Sequence, residues 1–231
     1  MNVHTVKAFD TEIGQLRGLI AEMGGLAESA IERAMRALQR ADHAAAGQVR
    51  ADDARIDALA AEVERLAVQV IALRAPLAID LREVVAALKI AGVVERIGDY
   101  AKNIAKRVPA IDSDERIEPV STLPAMARMA SAMVRDALDA FAARDAAAAV
   151  AVCDSDGALD DFYDSIFRTL VTYMVENPRT IGQVAHLLFV AKNLERIGDH
   201  ATNVAEMVYF AATGTQMADR DRGGASFEDK R

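Results

Sequence analysis

The chain has 231 residues, 52% of them apolar, with 35 acidic and 27 basic side chains and a formal charge of −8. That is room for one ordinary domain or two small ones with a packed core, and a charge poorly suited to wrapping nucleic acid. Alanine supplies 47 residues, against 13 glycines, 5 prolines and no tryptophan, a pool that favours helix over a β-sandwich. The fold class read from it is all-α.

In chain order, the apolar spacing predicts helices over 5–42, 45–74 and 77–108, then 122–143, 146–176 and 179–211. Prolines at 76, 109, 119, 124 and 178 punctuate them, and residues 109–121 read as a linker. From 212 to 231 the chain is polar and is expected to fray. No uncharged run is longer than the 12 residues of 180–191, short of the roughly 20 that a membrane span needs. The N-terminus shows no charged segment leading into an apolar stretch, so a cytoplasmic protein is expected.

The two halves repeat one another. A shift of 100 lays residues 88–108 on 188–208 with 11 of 21 positions identical, including an unbroken Glu-Arg-Ile-Gly-Asp. A shift of 103 relates 23–57 to 126–160 and places Asp42 on Asp145, Asp53 on Asp156 and Asp57 on Asp160. The expected organisation is two tandem three-helix bundles, 1–108 and 122–211. Apolar seams support it: Ile90, Val94, Ile97, Ala101, Ile104 and Val108, matched by Val190, Leu194, Ile197, Ala201, Val204 and Val208. The middle helix carries Ile56, Leu59, Val63, Leu66, Val70 and Leu73, with Leu159, Phe162, Ile166, Thr169 and Tyr173 in the copy.

Four acidic pairs at i, i+4 lie off those seams: Glu95 and Asp99, Glu195 and Asp199, Asp53 and Asp57, Asp156 and Asp160. On the helical wheel Glu95 and Asp99 fall about 140° and 180° from Ile90, so they are expected to project away from the bundle's own core. One such pair is usually solvated surface. Like charges one turn apart cost a few tenths of a kcal/mol, so keeping them in both copies, while flanking positions diverge (Tyr100 in one copy and His200 in the other, Lys102 and Thr202), suggests a use. Clustered carboxylates are hard oxygen ligands for Mg, Ca, Mn or iron. Gly98 and Gly198, beside the pairs, admit a close neighbour, either a ligand or another helix. Cys153 excludes an internal disulfide and a four-thiolate zinc site. His4, His43, His186 and His200 form no Glu-x-x-His pair, and no nucleophile signature or phosphate-cradling loop is present. No enzyme is expected.

The doubled Leu-x-x-Ala-x-x-x-Glu-Arg-Ile-Gly-Asp-x-Ala-x-Asn, with Ala78-Ile79-Asp80-Leu81-Arg82 ahead of the first copy, resembles the signature of the PhoU family over about residues 5–211. The resemblance implies two similar three-helix bundles and a non-enzymatic regulator of phosphate homeostasis. It implies coupling of the phosphate ABC transporter, through its ATP-binding subunit, to a phosphate-sensing histidine kinase, holding uptake and the starvation response down when phosphate is plentiful. It also implies a multinuclear iron or zinc cluster on Glu95/Asp99 and Glu195/Asp199, and more loosely on Asp53/Asp57 and Asp156/Asp160. A homodimer, attached to the membrane only through its partners, is expected, with Arg82, Arg96 and Arg196 as partner-binding residues. The second copy has no arginine matching Arg82, so Arg82 is expected to act within the first half. The alternative is a metal-binding or metal-storage helical protein using its acidic clusters.

Overall fold

The computed structural model describes residues 3–111 and 117–217. The middle of the 109–121 link and the tail beyond 217 lie outside the described residues. Among those residues there are seven α-helices and no strand: α1 Val3–Arg40, α2 His43–Asp52, α3 Ala54–Arg74, α4 Ile79–Ala105, α5 Leu123–Ala143, α6 Ala146–Glu176 and α7 Ile181–Thr213. Short 3-10 turns at Val108–Ala110 and Glu118–Ser121 flank the link, and a third at Pro178–Thr180 leads into α7.

The turns explain part of the repeat. Ala41 (φ 49°) and Arg144 (φ 55°) both adopt the left-handed conformation that ends a helix. The next residue in each case is an aspartate that caps the following helix. Asp42 Oδ1 accepts from the Ala45 amide at 2.9 Å, and Asp145 Oδ1 from the Ala147 and Ala148 amides at 2.8 and 3.0 Å. The 103-residue offset between Asp42 and Asp145 is thus one helix start, built twice. At the far end α7 runs to Thr213, where Gly214 (φ 77°) donates its amide to the Phe210 carbonyl at 2.8 Å.

One expected helix is divided. The 45–74 pattern is broken at Asp53 into α2 and α3, where the Ile56 amide turns to the Asp53 carbonyl at 2.9 Å. Its counterpart α6 runs on without a break.

Helices α1, α3 and α4 pack on one another, as do α5, α6 and α7; α4 lies along α7 and α1 along α5 between the halves. Every seam residue of α4 and of the turn that follows it is buried, from Ile90 to Val108, as is every one of α7 from Val190 to Val208. The middle-helix seams drift. Ile56, Val63, Leu66 and Val70 are buried but Leu73 is 66% exposed, and α6 buries Leu159, Ile166 and Leu170 while Thr169 faces out. A straight helix turns away from a strict 3.5-residue seam by about 20° per heptad, which brings Leu170 inward in place of Thr169. Where α4 meets α7, Tyr100 and His200, equivalent positions of the two copies, touch edge to face with centroids 5.1 Å apart.

Candidate functional site

Helix α4 packs on α1, α7 and α3. The contact with α3 falls on one flank of α4, where Gly98 meets Ile56, while Gly92 and Arg96 on the far side are exposed. The acidic pair stands at the border between the two rather than fully outward as expected. Glu95 and Asp99 are half-buried there. Asp53, at the α2–α3 break, comes opposite them with only 6% of its surface exposed, while Asp57, one turn on, is exposed. Partial burial, then the Asp99 and Asp57 charges, raise the Glu95 carboxyl above its ordinary range. Asp57 is raised by partial burial and then by Asp53.

A lysine lies among these carboxylates. The Lys102 ammonium donates to Asp53 Oδ2 and to Asp99 Oδ1, the latter at 2.8 Å, joining α4 to the α2–α3 junction. Both hydrogen bonds push the Lys102 pKa up, Asp53 contributing first, so the ammonium stays charged at physiological pH. Sequence reasoning noted Lys102 only as a point of divergence. Its position three residues after Asp99 was the available signal.

The second half places Glu195, Asp199, Asp156 and Asp160 in the corresponding groove between α7 and α6, all half-buried. Asp160 is raised by burial, then by Glu195 and Asp199. The cations here sit at the edge and on α7 itself: Lys192 donates to Glu195 Oε1 at 2.5 Å and Arg196 to Asp199 Oδ2 at 3.5 Å. Lys192 also lies over the Tyr163 ring, 5.2 Å from its centroid. At the position of Lys102 stands Thr202, whose hydroxyl donates to the Asp199 carbonyl at 2.7 Å.

Gly98 and Gly198 serve helix packing. A Cβ on Gly98 would come 2.8 Å from Ile56 Cδ1 and 3.2 Å from Asp53 Oδ1; on Gly198 it would overlap Leu159 Cδ2. The missing side chain admits the middle helix, and with it the carboxylates of Asp53 and Asp156.

Among the described residues, no three His, Cys, Asp or Glu side chains stand close enough together to hold a metal ion. In the first half the donor set does not fit one, because an ammonium already takes up oxygens of Asp53 and Asp99. Of the three arginines singled out, Arg96 and Arg196 are exposed on α4 and α7. Both lie near His200, whose pKa is lowered chiefly by burial and whose Nδ1 is 2.8 Å from the Arg196 carbonyl. Arg82 crosses to the other half. Its Nε donates to the Ala211 carbonyl at 3.4 Å, at the last turn of α7 where unpaired carbonyls attract a cation.

With this doubled helical groove in view, the comparisons with known proteins are direct. The model of the PhoU domain matches twice, over residues 20–108 and 123–208. The chain belongs to the PhoU family. A phosphate-specific transport system accessory protein PhoU homolog of Zymomonas mobilis is 56% identical over 220 residues, covering 95% of this chain and 93% of the relative. The homolog of Caulobacter vibrioides is 45% identical over 218 residues, 94% of this chain and 95% of its own. Among solved structures, PhoU from Pseudomonas aeruginosa superposes with a TM-score of 0.85 at 37% identity, covering 90% of this chain and all of that one. The phosphate transport system regulatory protein PhoU from Streptococcus pneumoniae gives 0.84 at 25% identity, over 90% and 99%.

Proposed function

We propose that the chain is a non-enzymatic regulator of phosphate transport. In this reading it couples the ATP-binding subunit of the phosphate ABC transporter to a phosphate-sensing histidine kinase, and restrains uptake and the starvation response when phosphate is plentiful. The observation that carries the reading is the likeness, over nearly its whole length, to proteins named as accessories of phosphate transport. The surface supports action through protein contacts. Exposed apolar side chains gather at the α3–α4 and α6–α7 turns: Leu73, Leu77 and Ile79 in one half, Val175 and Ile181 in the other. Among the described residues no helix is long and apolar enough to cross a membrane, so recruitment to the membrane falls to the partner.

Co-purification tests this. The chain should be recovered in the membrane fraction with the ATP-binding subunit, and should leave that fraction when the transporter genes are deleted. Recovery on membranes irrespective of the transporter, or no association with the subunit, would contradict it.

A metal-binding reading is favoured by one observation, the half-buried position of Asp160 beside Glu195 and Asp199 in the α6–α7 groove, and belongs to the second half. Metal analysis of untagged protein tests it. The double change Glu195→Ala with Asp199→Ala should then lower bound metal without loss of helicity, and an unchanged metal content would end this reading.

A further inference from the structure

We propose that Lys102 is the resident cation of the first-half carboxylate groove, so that the two halves are unequal and the first takes no divalent metal ion. This inference is independent of the phosphate reading. It begins from Asp53, which is 94% buried by its 6% exposure. A buried carboxylate is tolerated only with a compensating charge or hydrogen bonds. Lys102 supplies both, donating to Asp53 and to Asp99 and so tying the α2–α3 junction to α4.

A divalent ion entering the groove would have to share Asp53 and Asp99 with Lys102, and would stand beside its positive charge. Asp57 of α3 also faces Lys102 and adds a further negative charge beside the ammonium.

The copy arranges its charges differently. At the 100-residue offset the first half has Gly92 and Lys102, and the second has Lys192 and Thr202. The lysine has changed ends of the acidic pair. Lys192 hydrogen-bonds only a carboxylate of its own helix, Glu195, and lies over the Tyr163 ring of α6, whereas Lys102 joins carboxylates on two elements, Asp53 and Asp99. Side-chain divergence within a duplicated motif has therefore given the first half an ion pair across two elements where the resemblance implies a metal ligand set.

The test uses the purified full chain loaded with Mn2+ and freed of excess. Asp53→Asn with Asp99→Asn should bind as many ions per chain as the parent; loss of an ion would overturn the proposal. Lys102→Met should vacate the cation position. Its melting temperature should fall without metal, and millimolar Mn2+ should then raise it by about 3 °C more than it raises the parent. Equal Mn2+ responses in variant and parent would show that Lys102 does not stand in a cation position. Lys102→Thr, the residue its counterpart carries, gives the same comparison if the methionine variant does not fold. None of these readings depends on phosphate regulation, so the two proposals fail separately.

Discussion

Two helical glycines in α4, six residues apart, should respond oppositely to the same substitution. Gly98→Ala puts a methyl group against Ile56 and Asp53 and should cost about 1–3 kcal/mol, the usual range for overpacking. Gly92→Ala meets nothing within 4 Å and should stabilise by about 0.5–1 kcal/mol through helix propensity. Urea unfolding of both variants decides this. Asp160, half-buried beside Glu195 and Asp199, gives a pH-dependent prediction. Its pKa is raised in the folded state, so above the ordinary carboxylate value the native chain holds more of this proton than the unfolded chain. That contribution to stability is present at low pH and is lost as pH rises through the folded pKa. Asp160→Asn should therefore stabilise by a few tenths of a kcal/mol at pH 7 and by nothing near pH 3, read from melting curves at the two pH values. At this scale the sequence showed which carboxylates pair along one helix. It did not show Lys102 among them, because a lysine's reach across to another helix depends on where the neighbouring backbone lies.

The left-handed residue followed by a capping aspartate recurs in both halves. Asp145→Ala should cost about 0.5–2 kcal/mol, since its carboxylate takes two otherwise unpaired amides at the start of α6. Ala41→Gly relieves a positive φ at the matching turn and should be neutral or slightly stabilising. Thermal denaturation of the two variants should thus move in opposite directions or, for Ala41→Gly, not at all. The helices were legible from their apolar spacing, and α5 and α6 begin and end within a residue of where that spacing placed them. The break at Asp53 was not. The apolar pattern runs through it from Val49 to Ile56, both buried, and the break involves backbone hydrogen bonds that side-chain spacing does not report.

The halves are held together by more than apolar surface. Glu83, 5% exposed on α4, is gripped by Arg17 of α1 and by Arg144 of the α5–α6 turn. Arg135 of α5 pairs with Glu28 of α1, its Nε at 2.9 Å from Oε2, and Arg82 reaches the end of α7. Glu83→Gln removes the one charge that answers two guanidinium groups, at a cost on the order of 3 kcal/mol in urea unfolding. The 100-residue repeat announced two like units, and Tyr100 against His200 shows the equivalent helices meeting at equivalent positions. Contacts such as Arg82 to Ala211 were not legible, because they join positions without counterparts in the other copy. The regulatory account predicts that the whole molecule acts as a brake on the phosphate-starvation response. Its most direct test is a starvation-promoter reporter in a strain lacking the gene, grown in phosphate-rich medium. The account predicts high reporter activity, returned to the repressed level by the intact gene; repression that persists without the gene would contradict it.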